Sequence, residues 1–270
     1  MEKKMNLKNK ATGIKYYAVV IILTVVIGLQ VSCSVMTRAT PELTVSSVAA
    51  ADAGLSNREY AARLREDGWP VELLNTAANS PYLSDIEKNM VLAHNLIRYN
   101  PAKYAILYVA EYKKYFRGLE FHYPGMDVII LTNEGIKPVV ELYNELKNSE
   151  PLPLFYPSQR LSRAASSHAE YQSRNGEIGH KGQGGVRARI EREGDWERVI
   201  GENIAYGNWS GHDAVLGLMI DDGVPDRGHR ANILKREFRV LGLAHRSHPR
   251  FDGGVYVIKY AGGFEDVKLD

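Results

Sequence analysis

Two apolar, β-rich runs near the C-terminus, Val240 to Ala244 and Val255 to Ala261, constrain most strongly what this chain can fold into. A turn containing Pro249 and Asp252-Gly253-Gly254 joins them, which reads as a hairpin. Strands of this kind have two faces to bury, and much of what precedes them carries helical periodicity, so a sheet flanked by helices is expected. The chain of 270 residues has one cysteine, Cys33, so no intramolecular disulfide can form and the domain must be held by its core alone. A hydrophobic content of 44% is enough for one sizeable globular domain with appendages.

The helical signals are local. Ser84-Asp85-Ile86-Glu87 is a capping box, and Ile86, Met90, Ala93 and Ile97 follow on one helical face. Pro101 suits the first turn of a continuation through Val109, since a first turn does not need the missing N–H. A further helix is predicted from Lys137 to Lys147. Another runs from Ser158 to Arg174 and stops before Gly176, with Leu161, Ala164, Ala165, His168 and Tyr171 along one side. Asp213 to about Asp222 reads as a short apolar helix, which the segment Gly223 to Gly228 separates from a helical turn at His229 to Leu234. The stretch from about 111 to 157, with an apolar run at Val128 to Leu131, reads as an elaboration packed onto the domain.

Residues 1–32 have the form of an export signal, with a lysine-rich start and an apolar run from Tyr16 to Leu29. That run is short of the roughly 20 residues a membrane-spanning helix needs, so cleavage is favoured over spanning. Leu29-Gln30-Val31-Ser32-Cys33 resembles a bacterial lipobox, although Gln30 stands where leucine is usual. The cysteine would then carry a diacylglycerol, anchoring the protein in the cell envelope, at the outer membrane if the host has one. Residues 33–80 read as a tether with a modest helix near Asn57 to Glu66, and 81–270 as the domain. Removing the signal takes away Glu2 and five lysines, leaving 29 basic and 31 acidic residues of interspersed sign. That balance argues against a nucleic-acid partner.

Three stretches combine imidazole and carboxylate: Gly179-His180, Gly201-Glu202-Asn203-Ile204-Ala205, and Asp221-Asp222 followed by Gly228-His229-Arg230-Ala231-Asn232-Ile233-Leu234. Each alone has a plainer explanation, as a surface histidine in a glycine loop, a turn-capping glutamate or a solvated helix start. His168 reads as a packed core histidine, and His212, His245 and His248 as loop residues with solvent for a partner. Trp196, Tyr206 and Trp209 flank the Glu202 segment, either as packing under the sheet or as the wall of a groove. No Gly-x-Ser-x-Gly elbow, His-Glu-x-x-His helix or phosphate-cradling loop is present, so any hydrolysis would need activated water.

Taken together, the order of these stretches resembles the bacterial, disulfide-free branch of the CAP (SCP) superfamily, which includes cysteine-rich secretory proteins, venom antigen 5 and plant pathogenesis-related proteins. Asn95-Leu96-Ile97-Arg98-Tyr99-Asn100-Pro101 is similar to the family's first helix, and the similarity extends over about the last 190 residues. The resemblance implies a three-layer α-β-α sandwich with a central, mainly antiparallel sheet. It also implies a cleft gathering His180, His229, Glu202 and a second acid, for which Asp222 is favoured over Asp221. Two neutral imidazoles in such a cleft could hold a divalent cation such as zinc, with the carboxylates orienting the rings or acting as bases. Without metal the same groups would form a hydrogen-bonded network. The leading reading is an envelope-anchored protein binding a lipid, glycan or protein ligand. The alternatives are a metal-assisted extracellular hydrolase using His180, His229 and Glu202, and a non-catalytic structural envelope protein.

Overall fold

The computed structural model describes residues 54–122, 129–207 and 210–269. The segment read above as an export signal and Cys33, read as its lipidation site, lie outside the described residues. Among those residues no helix is long and apolar enough to cross a membrane.

Helix α1 (Asn57–Glu66) starts at a capping box made by Ser56 and Glu59. Helix α2 (Asp85–Tyr99) starts at the one made by Ser84 and Glu87. The chain then continues through Pro101–Tyr104, where the Asn100 side chain accepts from Lys103 N, into a π-helical turn at Ala105–Val109. Strands β1 (Phe116–Arg117), β2 (Glu120–His122) and β3 (Ile129–Leu131) form a small antiparallel sheet, followed by α3 (Lys137–Lys147). This is the elaboration.

The central sheet has the order β4-β6-β7-β5, with β4 (Tyr156–Pro157), β5 (Trp196–Tyr206), β6 (Val240–His248) and β7 (Phe251–Phe264). Among the described residues the short β4–β6 pairing of this sheet is parallel and its other pairings are antiparallel, as in the mainly antiparallel sheet expected. Because side chains alternate along a strand, β6 and β7 bury residues on both faces. Beneath α4 (Gln159–Asn175), Ala244, Val255 and Val257 pack with Ile204 against its Ala165 and Ala169, and Val240 and Ala261 pack against its Leu161. Gly242 makes this approach possible, since a Cβ there would lie 2.2 Å from the Leu161 carbonyl carbon. Leu241, Leu243, Tyr256, Ile258 and Tyr260 face the other way, into the core shared with α2 and α6 (Gly211–Ile220). On that side a Cβ on Gly211 would meet the Ile86 carbonyl oxygen at 2.5 Å, so the glycine sets how closely α6 crosses α2. The short helices α5 (Gly185–Glu191) and α7 (Gly228–Leu234) complete the two helical layers.

One boundary differs from the sequence reading. Residues 54–80 are part of the packed body, with Tyr60, Leu64, Trp69, Leu74 and Ala77 buried in the main core. Tyr60 and Leu64 share a face only once α1 is wound, and Trp69, Leu74 and Ala77 follow beyond its end.

Candidate functional site

His180 follows a glycine that three side chains hold. Gly179 N donates to Tyr206 Oη at 2.7 Å, and Gly179 O accepts from His168 Nε2 at 2.9 Å and Gln172 Nε2 at 2.6 Å. Arg189 of α5 donates to the carbonyls of His180 and Gly182. With its backbone fixed from both sides, His180 places Nδ1 2.7 Å from Glu202 Oε1.

Glu202 is buried among cations. Arg189 Nη2 lies 2.9 and 3.0 Å from its two oxygens, and Lys259, its cross-strand neighbour on β7, donates to Oε2. Burial alone would raise the Glu202 pKa, but Lys259, the His180 hydrogen bond and Arg189 outweigh it and hold the carboxyl well below the usual range. Lys259 is pulled down to about 8 by desolvation, against the attraction of Glu202. An ionised Glu202 can only accept, so the neutral His180 ring carries its proton on Nδ1 and leaves the Nε2 lone pair free. The same arrangement makes Glu202 a poor general base. Its role is to orient the imidazole.

The second pair is Asp221 and His229. Asp221 ends α6 in a left-handed conformation, φ 59°, and turns its carboxylate back onto α7. Oδ1 accepts from His229 Nδ1 at 2.6 Å, and Oδ2 from the His229 backbone N at 2.9 Å. Asp222, favoured from the sequence as the second acid, instead accepts from Asn133 N at 2.7 Å and Glu134 N at 2.9 Å, both in the elaboration. Adjacent residues at a helix end point in different directions. Only the left-handed one reaches back over the following helix.

The two pairs flank β5, the edge strand. Glu202 shares the sheet face of Ile204 and α4, whereas Asn203 projects to the opposite face, where its Nδ2 donates to the His229 carbonyl at 3.0 Å and to Tyr260 Oη at 3.3 Å. Asn232 of α7 links them, donating to Asn203 Oδ1 at 2.8 Å and to the Glu202 carbonyl at 3.4 Å. The chain of bonds continues inward. His94 Nδ1 must donate to Met90 O, so its Nε2 accepts from Tyr260 Oη at 2.9 Å. What the sequence suggested as one tetrad is therefore two carboxylate–histidine pairs, one on each side of a strand, joined by two asparagines. Neither His180 Nε2 nor His229 Nε2 has a hydrogen-bond partner among the described residues.

This donor set falls short of a metal centre. Among the described residues no three histidine, cysteine, aspartate or glutamate side chains come together. Both carboxylates that could complete a shell are committed to Nδ1 atoms and, for Glu202, to two cations. A carboxylate that accepts from the far nitrogen of an imidazole is common around zinc, but two imidazoles alone do not make a zinc-holding set.

Sequence reasoning did not find Arg189 and Lys259, the cations on Glu202, or the bridging role of Asn203 and Asn232. His212, read as solvated, is buried between Tyr60 Oη at 2.8 Å and Tyr104 Oη at 2.9 Å. His248 is also buried and bonds the Glu177 carbonyl. His168 is packed, as read. Tyr206 packs under the sheet and Trp196 lies beside Arg187, while Trp209 is outside the described residues.

Residues 140–260 match the model of the CAP family, described as the Cysteine-rich secretory protein family. Three solved structures align with parts of the chain. An extracellular protein containing a SCP domain from Bacillus anthracis is 24% identical, with a TM-score of 0.34 over 41% of this chain and 34% of that one. An outer surface protein from Borrelia burgdorferi is 17% identical, with a TM-score of 0.35 over 41% of this chain and 78% of that one. A cysteine-rich secretory protein from Staphylococcus aureus is 13% identical, with a TM-score of 0.33 over 53% and 45%. The chain thus spans about a third of the first of these structures. No curated protein matches. The segment that matches the CAP family contains His180, Glu202, Asp221 and His229.

Proposed function

We propose that this is an exported, lipid-anchored CAP-domain protein that binds an envelope lipid or glycan beside β5, through the Nε2 atoms of His180 and His229. The observation that carries this reading is the paired geometry. Each histidine is pinned through Nδ1 by its own buried carboxylate, and its Nε2 has no hydrogen-bond partner among the described residues. Rigid, oriented polar groups of this kind favour binding, because their ordering cost is already met on folding. Export and anchoring rest on the lysine-rich start, the short apolar run and Cys33. Hydrolysis is the weaker reading, since the proposed base Glu202 is locked between Lys259, Arg189 and His180.

The test is to incubate protein from Ser34 onward with an envelope extract, repurify it and identify what it retains by mass spectrometry. A lipid or glycan held by the wild type and lost in His180→Ala and His229→Ala is expected. No retained molecule, or equal retention by the variants, overturns the reading. For the anchor, a clickable fatty acid should label the protein in cells but not its Cys33→Ala variant; label persisting in that variant refutes lipidation.

A further inference from the structure

The loop from Asp221 to Gly228 is fastened to the elaboration by a dense set of bonds. Arg227, the residue before α7, has φ 50°, and Asp221 has φ 59°. Two non-glycine residues in this region are strained and persist only where their surroundings over-determine them. Here the surroundings are Glu134 and its neighbours. Arg227 forks onto Glu134, with Nη1–Oε1 at 2.6 Å and Nη2–Oε2 at 2.8 Å, and its Nε reaches Glu141 at 3.0 Å. Its Nη1 also donates to the carbonyls of Asp221 at 3.0 Å and Val224 at 2.8 Å. Glu134 in turn accepts from Gly223 N at 2.9 Å, and Asp222 accepts from Asn133 N and Glu134 N.

We propose that Glu134 and Arg227 are positioning residues for the Asp221–His229 pair, so that the elaboration between β3 and α3 sets the geometry of one half of the binding site. The fork matters as much as the charge, because a planar guanidinium can grip a carboxylate and two carbonyls at once where an ammonium cannot. His180 and Glu202, on the other face of β5, lie outside this clamp. Its importance for binding rests on the reading above, whereas its existence does not.

The experiment is proton NMR and amide hydrogen exchange on the unliganded protein and its Arg227→Lys and Glu134→Gln variants. The His229 Nδ1–H resonance should be lost to exchange, and the amides of His229 and Arg230 should exchange about tenfold faster. The His180 Nδ1–H signal should stay unchanged and serve as the internal control. An unaltered His229 signal in the folded Arg227→Lys protein overturns the proposal, and so does equal loss at His180, which would mark general loosening. Asp222→Asn, which weakens the elaboration's hold while leaving the fork intact, should give the same His229 response in smaller measure. The readout uses no ligand, so failure of the binding reading and failure of the clamp are separate results.

Discussion

Asp221 holds His229 twice, accepting from the ring at 2.6 Å and from the backbone N at 2.9 Å, so one carboxylate fixes both the orientation of the imidazole and the start of the helix that carries it. The neighbouring Asp222 does neither. Asp221→Asn should therefore cost about 1–3 kcal/mol of stability and free the His229 ring, because an amide oxygen cannot replace a charged acceptor for two donors. Asp222→Asn should cost about 1 kcal/mol or less. Urea unfolding of the two variants checks the order, and equal losses would refute it.

The opposite face carries two buried cations and one carboxylate. Glu202→Gln leaves Arg189 and Lys259 without their counter-charge and should destabilise by about 3–5 kcal/mol. Lys259→Met removes the surplus charge and should be close to neutral, since an apolar side chain of similar length avoids the desolvation cost. Thermal unfolding distinguishes the two. A Lys259→Met variant as unstable as Glu202→Gln would mean that the lysine is needed for more than charge balance.

Stability should fall steeply on mild acidification. Burial lowers His94, His168 and His212 to about 4, so between pH 6.5 and 4 the unfolded chain takes up protons that the folded one refuses. Each of the three contributes a loss of about 1.4 kcal/mol per pH unit in that window. Glu202 adds to the loss only below about pH 4.5, where the unfolded carboxylate begins to protonate while the folded one stays ionised. Lys259 acts at the other end. Lowered to about 8, it should let stability rise as pH goes from 8 towards 10.5, because the folded amine loses its proton first. Chemical denaturation across pH tests both limbs, and a flat profile from pH 6.5 to 4.5 would contradict the burial of the histidines.

Arg98 is a fully buried cation whose hydrogen-bond acceptors among the described residues are all carbonyls. It donates to those of Pro153, Ile233, Lys235 and Phe238 and lies 4.1 Å above the Phe155 ring, and burial lowers its pKa to about 9. Through these bonds it ties α2 to the end of α7 and the approach to β6. Arg98→Ala should cost about 3–5 kcal/mol by leaving those carbonyls unpaired, and Arg98→Lys only slightly less. Circular dichroism melting checks this, and a loss below about 1 kcal/mol would show the carbonyls to be satisfied otherwise.

The helical layers were legible because their signals are short-range. Ser84 and Glu87 are three residues apart, and Gly176 stops α4 by its own left-handed geometry. β5 was harder to read as a strand, since Glu197, Arg198, Gly201, Glu202 and Asn203 interrupt its apolar character and it is specified by pairing with β7 across a bulge near Glu197 and Ile200. Distance in sequence also hid the site's supports. Lys259 lies 57 residues from Glu202, and Tyr60 lies 152 from His212. Asp221 and Asp222 could not be told apart from residue type, because the choice is made by one backbone dihedral.

The most direct measurement of the central claim is long-range proton–nitrogen NMR of the histidine rings, before and after the protein is equilibrated with an envelope lipid and glycan extract. The account predicts that neutral His180 and His229 carry their protons on Nδ1, and that both Nε2 signals move on loading while those of buried His94, His168 and His212 stay in place. Either ring protonated at Nε2 instead, or a loaded protein with both Nε2 signals unmoved, would contradict it.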